Sequence, residues 1–439
     1  MSDQEALIVD LLLDGRGVAE QDGKRVFIPY TITGERVSFE RRKKKKKFDE
    51  ARLLDVIQAA PERISPKCSY FTVCGGCTSQ HIDPHAQLKF KQQAVLDTMR
   101  RIGRIEIENI APPIADKVWG YRRRARLAVK YVAKKSRVLV GFREKDAPYV
   151  ADMLGCEVLH PMIADNIQPL SELVSSLSIK DKVPQIECSI ADNAAAMVFR
   201  VLQTPSDIDL DLLEQFGADK NIRVYLQTKG LNTVAPLKAQ VYSEPLLFSI
   251  PDSDINIEFS PVDFIQVHHE INLRMIAQAL DWLRLNSDHQ VLDLFCGLGN
   301  FTLPIARSAG RVLGIEGDAS LVARARHNAE INNLDQTEFE TVDLFKLDDL
   351  AATDLTWLQQ HWDAVVIDPP RAGAREVIDK LVTVTPEKIL YVSCHPATLA
   401  RDADVLVNEY GYQCSRLGVM DMFPQTGHVE TMALFERPS

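Results

Sequence analysis

The sequence predicts a multidomain α/β protein with a small N-terminal β-barrel, a central α+β domain carrying a four-cysteine cluster, and a C-terminal doubly wound, Rossmann-like domain. Three observations predict it. Short apolar runs separated by Gly-bearing turns crowd residues 1–60, a spacing that fits a closed barrel. Cys68, Cys74 and Cys77 fall close together, with Gly75-Gly76 between the last two. From Phe264 onward, apolar strand-like runs alternate with helical periodicity, the pattern of a parallel sheet covered by helices. The expected divisions are 1–60, 61–262 and 263–439.

In the first part, Ala6–Val9, Gly17–Ala19, Arg25–Ile28 and Glu35–Phe39 are the expected strands, with turns at Asp14-Gly15, Asp22-Gly23 and Thr33-Gly34. Barrels of this size often take oligonucleotides. The cation run Arg41–Lys47 follows, too crowded to be buried and expected to sit against phosphates. Pro61 and Pro66 bracket a linker. Leu88, Val95, Leu96 and Met99 give residues 84–101 helical periodicity. Tyr121–Tyr131 and Arg137–Phe142 form an expected basic hairpin, and residues 157–260 alternate short strands and helices without a chemical motif. A helix over 270–286 leads into a strand at 290–295, and further strands end near Glu316, Asp368 and Cys394.

Charge distribution narrows the partner. The net charge of -10 conceals two opposite halves. Residues 1–150 carry 30 Lys and Arg against 19 Asp and Glu, and residues 151–439 carry 21 against 42. A basic front on an acidic body points to a polyanion, with nucleic acid the expected one. No apolar run approaches the ~18 residues of a membrane span. The start shows no signal pattern, so the expected location is cytoplasmic, where eight cysteines are not a disulfide framework.

The chemistry concentrates at strand ends. Asp293-Leu-Phe-Cys-Gly-Leu-Gly-Asn300 is a strand followed by a Gly loop that lets a ligand approach the backbone. A dinucleotide fingerprint would need a third glycine at 302, where Thr302 stands. Glu316 can hold ribose hydroxyls, and Asp343 ends the next run. This arrangement suits S-adenosylmethionine, which has no pyrophosphate to seat. Asp368-Pro-Pro-Arg371 projects a carboxylate that can accept a ring N–H such as uracil N3–H; Arg371, in place of an aromatic, argues against adenine N6. Cys394 ends Ile389–Ser393 and can add to carbon 6 of uracil, which makes carbon 5 nucleophilic. A base must then remove the carbon 5 proton; Glu430 is the candidate and His428 its competitor. Cys188 and Cys414 read as inert core thiols, and Cys296 lies in the cofactor loop with either role open. Four cysteines, Cys156 supplying the last, fit a [4Fe–4S] cluster or structural zinc.

Together these residues resemble the RNA (uracil-5-)-methyltransferase family over essentially the whole chain. The resemblance implies a TRAM domain for residues 1–60. It implies iron–sulfur over zinc, since Cys68, Cys74, Cys77 and Cys156 match that family's cluster ligands. It also implies an S-adenosylmethionine site made of Gln266, Phe295, Asn300, Glu316, Asp343 and Asp368, with Cys394 as nucleophile and Glu430 as base. Having both a TRAM-like module and the cysteines is most like the 23S ribosomal RNA uracil-5-methyltransferase D subgroup. That implies methyl transfer to carbon 5 of one uridine in 23S rRNA, as free or early-assembly RNA, with no protein partner and no membrane. The alternatives are a tRNA uracil-5 or an RNA cytosine-5 methyltransferase, or a non-enzymatic RNA-binding chaperone with a vestigial methyltransferase domain. The intact set Cys394, Asp368 and Glu430 argues against the last.

Overall fold

The computed structural model describes residues 4–438 except 240–241, 352–354 and 382. Five strands, β1 (Gln4–Leu11), β2 (Arg16–Gln21), β3 (Lys24–Pro29), β4 (Arg36–Lys44) and β5 (Phe48–Gln58), close a barrel in the order β1-β2-β3-β5-β4. Ile8, Val26, Ile28, Val37 and Phe39 fill it. The four expected strands are present. The fifth, β5, escaped the sequence because charged residues interrupt its apolar ones and its pairing with β4 is irregular. Its presence also changes the cation run. Arg41–Lys44 belong to β4, and Arg41 is largely covered, 3.1 Å from Asp22 and 3.5 Å from Asp49. Arg42 pairs with Glu40, and Lys43 and Lys45 with Glu50. As expected, none of the seven is buried: Arg41 keeps some exposure and Arg42–Lys47 are exposed. β5 and its neighbours nevertheless bring acids to four of them, which leaves Lys44, Lys46 and Lys47 as the cations facing solvent without such a pairing among the described residues.

Helix α1 (Pro84–Arg101) starts where the Asp83 carboxylate accepts the N–H groups of His85 and Ala86 at 3.0 and 3.3 Å. Its Leu88, Val95 and Met99 pack with Leu399, Ala400 and Ala403 of the C-terminal region. Next come β6 (Arg124–Val132), β7 (Arg137–Gly141), α2 (Pro161–Ala164), α3 (Ile167–Ser176), β8 (Gln185–Ile190), β9 (Ala195–Arg200), α4 (Asp207–Lys220), β10 (Ile222–Gln227) and β11 (Ala235–Pro236). Their sheet has the order β11-β10-β9-β8-β6-β7, with β6 and β7 the expected basic hairpin. The hairpin of β12 (Leu246–Ile250) and β13 (Ile255–Phe259) packs Phe248 and Ile257 against Met275 and Leu303.

The last region alternates α5 (His269–Leu283), β14 (Gln290–Leu294), α6 (Thr302–Ala306), β15 (Arg311–Glu316), α7 (Ala319–Ile331), β16 (Thr337–Thr341), β17 (Ala364–Ile367), α8 (Arg375–Leu381), β18 (Lys388–Ser393), α9 (Pro396–Asp404), β19 (Gln413–Met420) and β20 (Glu430–Glu436). Seven strands form one sheet, β16-β15-β14-β17-β18-β20-β19. Only β20 runs against the others. Alternating side chains feed two cores: Val366, Leu390 and Val392 on one face, Val365, Ile389 and Tyr391 on the other. No helix among the described residues is long and apolar enough to cross a membrane.

Candidate active site

Register assembles the site. Leu294 pairs with Ile315 on one side and Ile367 on the other, so β14 and β17 end level and β15 runs one residue further, to Glu316. The next residues, Phe295, Glu316 and Asp368, therefore emerge side by side at the carboxyl edge of the sheet. In the antiparallel pair β18–β20, Ser393 faces Thr431, which sets Cys394 opposite Glu430. These side chains line one cavity of about 830 Å³, together with Gln266, Asn300 and Asp343. The structure thus brings all eight of the expected cofactor and catalytic residues to one place.

The cofactor side is built by the loop after β14. Phe295 takes a left-handed φ of 63°, unusual for an aromatic residue, and its ring lies 5.5 Å from that of Phe345. Gly299 has φ 94°, and a Cβ there would come within 2.8 Å of Leu303 Cγ. The Glu316 carboxylate accepts the Gly297 N–H at 3.2 Å and the Asp318 N–H at 3.0 Å, which fixes its direction beside the loop. Asn300 and the buried Asn272 exchange amide hydrogen bonds of 2.9 and 3.0 Å. Asp343 accepts the Phe345 N–H and pairs with Lys346 at 3.0 Å; that pairing holds its carboxyl below the ordinary range.

The reactive side is rich in acid, with Glu430 buried and Cys394 and Asp368 partly so. Burial pushes the Cys394 thiol up to about 11; Glu430 and Asp368 add to the rise and Arg371 opposes it. Burial raises Asp368 to about 7. It lifts Glu430 well above the usual carboxylate range, with Asp368 adding and Arg371 opposing. Cys394 precedes His395, the N-cap of α9, so the helix dipole favours a thiolate there. Arg371 Nη2 lies 3.1 Å from His428 Nδ1, and burial and that guanidinium keep His428 below its ordinary value.

The four cluster candidates occupy a second cavity of about 570 Å³, lined by Cys68, Cys74, Cys77 and Cys156. Arg122, Arg371, Cys394 and His428 line both cavities, so Cys394 stands on their common wall. Burial, with mutual proximity adding, raises Cys77 to about 12. Cys156 rises to about 11 for the same reasons. Among the described residues no three of these sulfurs lie within 4.8 Å of one another. One tetrahedral zinc, with Zn–S near 2.3 Å, would gather all four at about 3.8 Å. Four thiolates are the donor set of a [4Fe–4S] cluster or of a structural zinc. Cys188 is buried in the central sheet, Cys414 is on β19, and Cys296 is buried against the cofactor cavity.

Several site residues were missed by sequence reasoning. Arg122, in sequence one cation of the expected basic hairpin, lines both cavities. Phe248 and Phe345 lie outside any motif, and Asn272 is an interior helix residue whose partner is 28 positions away. Their signal is spatial and absent from local spacing.

A sheet with a Gly loop after its first strand, acids at the ends of the next ones and a cysteine beside a carboxylate defines a class: an S-adenosylmethionine-dependent methyltransferase. Comparisons narrow the class. The family model described as tRNA (Uracil-5-)-methyltransferase matches residues 211–438. The 23S rRNA (uracil(1939)-C(5))-methyltransferase RlmD of Alkalilimnicola ehrlichii is 45% identical over 433 residues, 99% of this chain and 96% of that protein. The protein of the same name from Methylococcus capsulatus is 43% identical over 424 residues, covering 97% and 95%. The crystal structure of Pyrococcus abyssi tRNA (uracil-54, C5)-methyltransferase in complex with S-adenosyl-L-homocysteine has the same fold. Its TM-score is 0.74 at 24% identity, covering 98% of this chain and 99% of that one. The chain belongs to the RNA (uracil-5-)-methyltransferase family.

Proposed function

We propose that this chain methylates carbon 5 of one uridine in 23S ribosomal RNA, the one corresponding to position 1939 in the names of its relatives. The convergence of Cys394, Asp368 and Glu430 on the cavity that the cofactor loops line carries this reading. Bound S-adenosylmethionine supplies an electrophilic methyl group, held by Gln266, Phe295, Asn300, Glu316, Asp343 and Asp368. The chain's own residues do the rest. Asp368 accepts the ring N3–H and orients the base. The Cys394 thiolate adds to carbon 6, and the displaced electron pair makes carbon 5 nucleophilic. After carbon 5 has taken the methyl, Glu430 removes its remaining proton, the carbon 6–sulfur bond breaks, and the thiolate returns.

The electrostatics order these events. Glu430 is buried and lies near Cys394 in the same cavity, which favours one negative charge at a time. While Cys394 is a thiolate, Glu430 keeps its proton. Once the thiolate's charge has passed into the ring and been consumed, Glu430 releases its proton to solvent at the mouth of the cavity, and the resulting carboxylate can take the carbon 5 proton. His428 is the weaker candidate because Arg371 already occupies its Nδ1.

The barrel reads as a TRAM module that, with exposed Lys44, Lys46 and Lys47, grips rRNA in the cytoplasm. Cys68, Cys74, Cys77 and Cys156 hold a [4Fe–4S] cluster that organises their loops, since methyl transfer moves no net electrons. The test is Cys394→Ala with labelled S-adenosylmethionine and 23S rRNA. The expected result is no transfer to the RNA with cofactor binding intact; transfer at the parental rate would overturn the mechanism.

A further inference from the structure

The loop 421–429 between β19 and β20 ends on Glu430, and several parts of the chain hold it. The Lys91 ammonium of α1, almost fully buried, donates to Asp421 Oδ1 at 2.7 Å and to the Phe423 carbonyl at 3.1 Å. Gln87, one turn earlier on α1, donates from Nε2 to Gln425 Oε1 at 3.0 Å and accepts the Gln425 N–H at 3.2 Å. Gln425 is buried with a left-handed φ of 69°. Its carbonyl accepts the N–H groups of Thr78 and Ser79, the two residues after Cys77, at 2.9 and 3.2 Å. Tyr121 donates its hydroxyl to the Pro424 carbonyl at 3.0 Å. Gly427 lies so close to the barrel that a Cβ would come within 1.9 Å of the Leu13 carbonyl oxygen.

A left-handed, buried, non-glycine residue persists only where its surroundings over-determine it. Here the surroundings are α1 and the cysteine loop, and the segment so fixed delivers Glu430 to Cys394. We propose that Gln87 and Lys91 are positioning residues for proton removal: through loop 421–429 they aim Glu430 at carbon 5. They touch neither cofactor nor base, so they act on the last step and leave addition and methyl transfer largely alone. The inference deepens the proposed function and rests on Glu430 being the base.

The two halves of the reaction are read separately. RNA carrying 5-fluorouridine at the target traps the enzyme after methyl transfer, and its trapping rate reports addition plus transfer. RNA carrying 5-tritiated uridine releases tritium only when the base acts. Gln87→Leu and the paired Lys91→Met/Asp421→Asn variant, which leaves no lone buried charge, are each compared with Glu430→Gln. Rates are normalised to the enzyme fraction that 5-fluorouridine RNA can trap, which removes misfolded protein from the comparison. The expected result is tritium release at least about tenfold slower, near the 1.4 kcal/mol that a tenfold change represents. Trapping should stay within about threefold of the parent, and protein–RNA adducts should accumulate on denaturing gels. Equal slowing of trapping and release, or parental release in both variants while Glu430→Gln accumulates adduct, would overturn the positioning role alone. Parental release by Glu430→Gln would remove the base assignment and this inference with it.

Discussion

Lys91→Met is expected to destabilise the protein far more than Lys91→Met combined with Asp421→Asn. The two side chains are 3% and 4% exposed and 2.7 Å apart, so solvent contributes almost nothing to either charge. Removing the ammonium alone strands a buried carboxylate, which costs about 3–5 kcal/mol. For a unit of roughly 150–250 residues each kcal/mol lowers the midpoint by about 2–4 °C, so the single variant should melt roughly 6–20 °C lower. Removing both charges leaves only the lost hydrogen bonds, about 1–2 kcal/mol. Calorimetry at neutral pH on parent, single and double variants measures the difference, using the transition that contains the C-terminal sheet. A double variant melting no higher than the single one would refute the reasoning, because the penalty would then come from packing and not from an orphaned charge.

Two other outcomes follow from the site. Alkylation of Cys394 by iodoacetamide should rise about tenfold per pH unit from neutral pH toward its raised value of about 11, because only the thiolate reacts and burial disfavours it. A plateau below pH 9, followed by mass spectrometry of the Cys394 peptide, would contradict the burial argument. Anaerobically purified protein should carry iron and acid-labile sulfide with a broad visible absorption, and chelation should bleach it and weaken RNA binding. Stoichiometric zinc without iron would show that the cysteine site closes further than its sulfurs stand here.

The sequence carried most of the catalytic site because its chemistry sits at strand ends, where a buried apolar run stops at one polar residue. Asp368 and Cys394 are legible in this way, and Glu316 by its distance from the Gly loop. The pairing that makes them a site was not legible. Nothing local says that β20 enters between β18 and β19 in the opposite direction, yet that register alone sets Glu430 opposite Cys394. Lys91 and Asp421 are 330 positions apart, and a buried lysine looks in sequence like any helix-surface cation. The barrel shows the same limit: β5 is hidden by its charges, and those charges neutralise part of a run that reads as free.

The antiparallel ladder from Lys388–Glu436 to Ser393–Thr431 has one more consequence, which concerns length changes. Side chains on β20 alternate between two cores, Met432 and Leu434 on one and Ala433 and Phe435 on the other. A single-residue insertion or deletion within β20 would exchange these sets and offer Val429 or Thr431 to Cys394 in place of Glu430. Folding and the proton removal proposed for Glu430 would fail together. The ladder therefore works as a ruler, and indel scanning across residues 430–436 should find even one-residue steps silent nowhere along it.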